Sequence, residues 1–322
     1  MKNSEAKIKK EMIALEILFT VSIALIICLI FLAKYILAGV LILTASVVFG
    51  NIIGRKNLLM NFNHFKKFSS DKITGQFEVA KPTASFSEEK KHGILLLHGF
   101  SASPQEFRFL IPLLKENNIT FYAPRLTGFG IADVTNLQFV QSMQWLRDSL
   151  EAFDLLSQHV EEVSIVGHSM GGLLAVILSQ QRKVKKLVLS APYLIENKNH
   201  KFKKKILKIP GVLCLMSLFL PVVKKSSFEE NSDRFVYHAV PLHSIKALWG
   251  LHSLLNYSKI KNEMFLLSGN LDNTTNMKLN EEILTEKKIS FQKYEFEKSG
   301  HNILEDFERE VVAKKIIDIL KT

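Results

Sequence analysis

The chain has 322 residues, 47% of them hydrophobic, and carries 42 Lys and Arg against 31 Asp and Glu, a formal net charge of +11. Two cysteines, Cys28 and Cys214, both in apolar runs, exclude a disulfide framework and a cysteine metal site. The basic balance comes without a zinc finger, an RNP motif or a base-reading helix, which speaks against a nucleic-acid partner and for an anionic membrane surface, although an ordinary solvated lysine surface accounts for many of the charges equally well.

Residues 1–11 form a basic tail. Residues 12–53 are almost wholly apolar, with Glu16 and Lys34 their only charges. A bilayer core takes about 20 apolar residues per helix, and 13–33 and 35–53 each come close to that length. Three readings stand. A helical hairpin turning at Lys34 would leave Lys2, Lys7, Lys9 and Lys10 on the same, cytoplasmic side as Arg55, Lys56, Lys66 and Lys67. A single signal-anchor helix is the second. A cleaved signal peptide is the third, against which the run far exceeds an apolar region of about 7–15 residues. The expected organisation is a transmembrane segment at 12–54 in two helices, a linker with early strands at 55–91, and a catalytic domain at 92–322 facing the cytoplasm. Within the linker, 76–80 alternates like an edge strand and 81–91 reads as a loop.

His92-Gly93-Ile94-Leu95-Leu96-Leu97 is a continuous apolar run, as in a buried parallel strand, and ends in His98-Gly99-Phe100. Ser103 and Pro104 suit the N-cap and first position of a helix continuing through Phe107, Leu110, Leu113 and Leu114. A strand at 120–123 leads to the loop Leu126-Thr127-Gly128-Phe129-Gly130, and 145–156 is an amphipathic helix. A short β-branched strand, 163–166, then meets Gly167-His168-Ser169-Met170-Gly171, followed by an apolar helix over 172–178. A serine on a sharp turn between strand and helix is a nucleophile elbow: the flanking glycines allow the turn, and the hydroxyl sits at a helix N-terminus. A plain tight turn produces the same pentapeptide, so the rest of the chain must supply a base, an acid and an oxyanion hole.

After a strand at 186–190, about seventy residues (192–260) exceed one crossover helix and read as an inserted cap. Lys198, Lys201, Lys203, Lys204, Lys205 and Lys208 precede an apolar stretch containing Val212, Leu213, Leu215, Met216, Leu218, Phe219 and Leu220 between Pro210 and Pro221. That pattern suits an interfacial segment, a cap closing over an acyl chain, or a packed cap with its lysines in water. A strand at 264–268 ends in Gly269-Asn270-Leu271-Asp272. Another at 289–296 precedes Ser299-Gly300-His301. A closing helix over 302–320 would bury Ile303, Leu304, Phe307, Val311, Ile316 and Leu320. The alternation of strand and helix predicts a mostly parallel sheet flanked by helices.

His98-Gly99-Phe100, Pro124 with Gly128 and Gly130, Gly167-x-Ser169-x-Gly171, Gly269-x-x-Asp272 and Ser299-Gly300-His301 stand in the order and spacing of the α/β-hydrolase family. Over the chain from about residue 93 onward, the sequence most resembles the bacterial carboxylesterases and monoacylglycerol lipases within it. Phe129 departs from the Gly-His-Gly loop frequent in that family. The resemblance implies Ser169 as nucleophile, His301 as base and Asp272 as the acid that orients it, with the backbone amides of Phe100 and Met170 as oxyanion donors. His98 reads as a brace for its loop. Asp272 also sits in an Asn-rich turn, with Glu196 and Asp306 as competing carboxylates. The expected function is a membrane-anchored serine hydrolase of lipid or small carboxylic esters that needs no cofactor or metal. Acyl transfer, thioester or peptide cleavage, and a non-catalytic binding protein on the same scaffold remain alternatives.

Overall fold

A computed structural model of the chain describes residues 2–195, 206, 209, 211–225 and 233–322, with side chains for all of these except 2–9 and 11. Glu196, Lys198, Lys201, Lys203, Lys204, Lys205, Lys208 and Pro210 lie outside the described residues. The chain divides into two compact units, Met1–Ile52 and Ile53–Thr322.

The first unit belongs to one helix, α1 (Lys2–Phe65), whose apolar side chains from Met12 to Phe49 are exposed, apart from the half-buried Val47. Its stretch Met12–Phe65 contains an 18-residue window with a mean hydropathy of 2.8 and is long and apolar enough to cross a membrane. The two-helix arrangement expected here is corrected: α1 continues through Lys34 without a turn. The reason is local. No Pro or Asn flanks Lys34, and the alanines and leucines beside it are good helix formers.

The last turns of α1 pack within the second unit, so residues expected as a linker are structural. The buried Asn61 side chain accepts hydrogen bonds from the amides of His238 (2.7 Å) and Ala239 (3.1 Å) and donates to the Ala239 carbonyl (2.7 Å). Phe65 stacks on Phe235 with ring centroids 5.2 Å apart and meets Phe77 and Tyr237. Replacing Asn61 with alanine strands three buried backbone groups. At about 1–3 kcal/mol for each unsatisfied group, partly relieved by water, we expect a loss of about 2–4 kcal/mol in chemical unfolding of the detergent-solubilised protein. Phe77, held in this aromatic cluster, also explains a second difference. Residues 76 and 77 form only isolated bridges, to Ile131 and Ser70. The edge strand is β1 (Thr83–Ser85) instead, inside the expected loop.

The sheet comprises β1, β2 (His92–Leu97), β3 (Thr120–Ala123), β4 (Glu162–His168), β5 (Leu187–Ser190), β8 (Met264–Gly269) and β9 (Phe291–Phe296), in the order β1-β3-β2-β4-β5-β8-β9. Only β1 is antiparallel to its neighbour. Side chains alternate between two cores, as a period of two requires. Leu95, Leu97, Ile165, Leu187, Leu189 and Leu266 face one core; Ile94, Leu96, Val166, Val188, Phe265 and Leu267 face the other. Helices α3 (Ser142–Ser157) and α4 (Met170–Ser179) cover the first face, and α2 (Ile111–Glu116) and α8 (Arg309–Lys321) the second. Burial on both faces is why these strands read as unbroken apolar runs.

Between β5 and β8 lie α5 (Val212–Phe219), a two-stranded ribbon of β6 (Val222–Lys224) and β7 (Ala239–Pro241), and α6 (Leu242–Leu251). α7 (Met277–Glu286) joins β8 to β9. Two expected helices are shorter than their sequence patterns. The first splits into a 3-10 turn, Pro104–Phe107, and α2, because Pro112 has no amide to continue the ladder. The closing helix begins only at Arg309. Asp306 and Glu308 just before it spend their carboxylates on the Gly300 and Lys298 amides, so Phe307 and Val311 are exposed rather than buried.

Candidate active site

Every candidate residue sits just past the C-terminal end of a parallel strand: Phe100 after β2, Ser169 after β4, Asp272 after β8 and His301 after β9. Open α/β sheets gather their reactive groups along this edge. Ser169 occupies the sharpest point, with φ 50° and ψ −112°, a conformation costing an L-residue about 1–3 kcal/mol. The surrounding hydrogen bonds over-determine it. Its amide donates to the Ser190 carbonyl (2.9 Å), and its carbonyl accepts from the amides of Gly172, Leu173 and Tyr193 at 3.0–3.2 Å.

Ser169, His301 and Asp272 come together. Ser169 Oγ is 3.0 Å from His301 Nε2, and His301 Nδ1 is 2.9 Å from Asp272 Oδ2. The Asp272 side chain is 4% exposed and that of His301 14%. Burial alone would raise the Asp272 pKa. The hydrogen bond and charge of His301, the Thr275 hydroxyl and the Thr274 amide outweigh it and hold the carboxyl down to about 2. Asp272 is therefore an acceptor only, His301 Nδ1 must donate to it, and Nε2 is left to accept the serine proton. Gly269 makes this approach feasible: a Cβ there would collide with the carbonyl oxygens of Ser299 and Gly300. Of the competing carboxylates, Asp306 accepts from the amides of Gly300 and Phe307 and so braces the histidine loop. Glu196 lies outside the described residues.

The amides of Phe100 and Met170 have no hydrogen-bond acceptor among the described residues. The peptide ending in the Phe100 amide begins with the Gly99 carbonyl, which accepts from His98 Nδ1 (2.9 Å) and the Ala102 amide (3.2 Å). A trans peptide points its N–H opposite its C=O, so anchoring that oxygen aims the Phe100 amide. His98 Nε2 accepts from the Leu126 amide (3.2 Å), and burial lowers its pKa to about 4, so it is a neutral brace between two loops. Phe129, the departure from the family's Gly-His-Gly loop, is fully buried, stacked on Trp145 and edge-on to His98 and Phe100. It supports the loop from beneath.

Residues 88–308 match the family profile described as serine aminopeptidase, S33. The chain belongs to this family of α/β hydrolases. It is 24% identical over 237 residues to a carboxylesterase of Bacillus subtilis (strain 168), spanning 71% of this chain and 92% of that one. It is 28% identical over 95 residues to a thermostable monoacylglycerol lipase of Bacillus sp. (strain H-257), spanning 30% and 38% respectively. Among solved structures it resembles a metagenome-derived lipolytic enzyme of the LipS and LipT pair, with a TM-score of 0.65, 20% identity and coverage of 76% of this chain and 98% of the other. It also resembles the monoacylglycerol lipase of Paleococcus ferrophilus, with a TM-score of 0.55, 19% identity and coverage of 74% and 97%. These structural likenesses carry the fold. With the family and the sequence relatives, they make the chain an α/β hydrolase of esterase and lipase type.

Sequence reasoning missed several residues around the site. Thr275 donates its hydroxyl to Asp272 Oδ2 (2.5 Å), and Asp272 Oδ1 takes the amides of Thr274 and Thr275. The run Asp272-Asn273-Thr274-Thr275 is an Asx turn, and the same turn chemistry that competes for the carboxylate in sequence holds it in place here. Glu106, Lys225 and Arg234 reach the site only through tertiary packing, and no local pattern marks them.

Proposed function

We propose that this protein is a membrane-anchored serine hydrolase that cleaves carboxylic esters of lipids, monoacylglycerols among them, through an acyl-enzyme on Ser169. The observation that carries the reading is the continuous hydrogen-bond path Asp272–His301–Ser169 ending at a strained elbow serine. Ser169 Oγ attacks the ester carbonyl carbon as its proton passes to His301 Nε2. The resulting oxyanion is held by the Phe100 and Met170 amides, each worth about 2.7–4 kcal/mol in the transition state. Collapse breaks the ester C–O bond, and the alcohol leaves with the proton from His301. Water then gives its proton to His301 and attacks the acyl-enzyme, and Ser169 recovers its proton as the carboxylic acid departs.

The lipid assignment is supported by apolar surface near the reacting groups: Leu271, next to Asp272, is 60% exposed and Phe307 is 86% exposed. Leu215 and Leu218 on α5 are exposed as well. Anchoring is supported by α1. Its apolar residues 12–53, at 1.5 Å rise per residue, extend about 63 Å against a hydrocarbon core of about 30 Å. With α1 continuous, its two basic flanks lie at opposite ends of the apolar stretch, and we place the catalytic unit in the cytoplasm with Arg55, Lys56, Lys66 and Lys67.

A fluorophosphonate probe tests the chemistry: it should label the detergent-solubilised wild type and leave Ser169→Ala unlabelled. Turnover should then rise with acyl length across p-nitrophenyl esters and extend to monoacylglycerols. Equal labelling of both proteins, or a preference for thioesters over esters, overturns the reading. For topology, a reporter fused at Lys66 should report the cytoplasm; an external signal refutes that placement.

A further inference from the structure

Glu106 is a buried acid with no part in the reaction just described, yet it sits against residues that precede both oxyanion donors in the chain. Its side chain is 4% exposed. Oε2 accepts the Gly99 amide at 2.8 Å, one residue before the Phe100 donor. Oε1 lies 3.7 Å from His168 Nε2, one residue before Ser169 and two before the Met170 donor. A Cβ built on Gly99 would meet His168 Cδ2 at 3.0 Å and Glu106 Oε2 and Ser169 Cβ at 3.5 Å, so the loop, the elbow and this carboxyl are in mutual van der Waals range. The other side of the loop is tied to the insert. Lys225 Nζ donates to Ser101 Oγ (2.5 Å), and the Tyr237 amide donates to the Ser101 carbonyl (2.8 Å). Ser101 itself has a φ of 67°, a conformation that needs such holding.

We propose that Glu106 is a positioning residue that locks the oxyanion loop 99–101 against the nucleophile elbow, fixing the Phe100 amide relative to the Met170 amide. The inference rests on the assignment of those two amides as oxyanion donors. His98 sets the peptide plane after Gly99, and Glu106 sets the plane before it. Together they leave Gly99, the one residue of the loop with free backbone torsions, no freedom to swing the donor away. The charge balance fits the role. Burial and the neighbouring Glu305 carboxylate raise the Glu106 pKa to about 8, against the pull of Arg234, the Gly99 amide and Lys225. At neutral pH a largely protonated carboxyl accepts the Gly99 amide through its carbonyl oxygen without setting a full negative charge beside a developing oxyanion.

Three variants of the full-length protein test this, read with p-nitrophenyl butyrate and by the rate of fluorophosphonate labelling. Glu106→Gln keeps a neutral acceptor at the same reach and should hold kcat within about threefold of wild type. Glu106→Met keeps the volume and loses the acceptor. It should lower kcat and the labelling rate about 10²-fold, with KM within about twofold, the size of effect expected when a transition-state contact is misplaced by about 1 Å. Glu106→Asp keeps a carboxyl near Arg234 but falls one methylene short of Gly99. It should lose at least tenfold in kcat, and it serves if the methionine variant does not fold. A purely structural role would lower the melting temperature without this split between kcat and KM and without rescue by glutamine. A folded methionine or aspartate variant at wild-type kcat, or a glutamine variant as impaired as methionine, overturns the proposal. Ser169→Ala separates the two levels: activity surviving in that variant removes the underlying assignment, whereas its loss alongside an unimpaired Glu106→Met removes only the role of Glu106.

Discussion

Replacing Asp272 with asparagine should lower kcat by about 10³–10⁴-fold with KM nearly unchanged, because the substitution inverts the histidine tautomer while leaving the shape of the site intact. The surroundings dictate which way the new amide points. Asp272 Oδ1 accepts two backbone amides, from Thr274 at 2.7 Å and Thr275 at 3.1 Å, so the asparagine oxygen must take that position. Its NH2 group then faces His301 Nδ1 and the Thr275 hydroxyl. Nδ1 is forced to accept, Nε2 carries the hydrogen, and the Ser169 proton has nowhere to go. Substrate contacts are untouched, so the loss falls on kcat. A variant within tenfold of wild type would show that another carboxylate orients His301. The acid side of the pH profile gives a second check. The Asp272 pKa is depressed from 3.8 to about 2 in the folded protein, so its stabilising contribution is complete above 3.8 and lost as pH falls through about 2. An activity limb that bends above pH 4 therefore arises from a different group.

The residues legible in the sequence are those whose role is written into local backbone. The elbow needs Gly167 and Gly171 around Ser169 because strand and helix meet there within two residues. The strands β2, β4, β5 and β8 announce themselves because burial on both faces removes polar positions altogether. Asp272 and His301 are legible because a strand end followed by a short turn leaves few candidates. What escaped has a common cause: it is decided by contacts between distant segments. Glu106 lies in a stretch whose helical spacing through Phe107, Leu110 and Leu114 looked self-sufficient, while its carboxyl is spent on Gly99. Asn61 looks like one polar residue in a linker until its partners at 238 and 239 are known. Phe307 and Val311 fit a helical stripe, but Asp306 and Glu308 compete for the preceding amides and delay the helix. The continuity of α1 at Lys34 is the reverse case. Hydropathy and charge invited a turn there, and the absence of any helix-breaking residue decided otherwise.

Gly171→Ala should prevent folding, or cost more than about 4 kcal/mol, the range reserved for changes the core cannot absorb. The residue is the second of α4, where the helix leaves the elbow and crosses the end of β2. A Cβ at this position would overlap the Leu97 carbonyl oxygen, with the Leu97 carbon at 2.5 Å and the His98 oxygen at 2.7 Å. All three are backbone atoms, so no rotamer change relieves the contact. Either α4 must lift off the sheet or the end of β2 must move. Neither is cheap, because Leu97 pairs with Gly167 in the central ladder and is fully buried. Any fraction that does fold would carry the strain straight into His98-Gly99-Phe100, so its activity should fall further than its population. Gly39 supplies the control within the same chain. Nothing lies within 4 Å of a Cβ built there, and it sits inside α1, where alanine is favoured over glycine by about 0.5–1 kcal/mol. Gly39→Ala should therefore leave the unfolding of the catalytic unit unchanged while Gly171→Ala abolishes it. Soluble, active Gly171→Ala protein would mean that α4 and β2 do not meet at the elbow as closely as 167–171 requires, and the placement of Ser169 would fall with that contact.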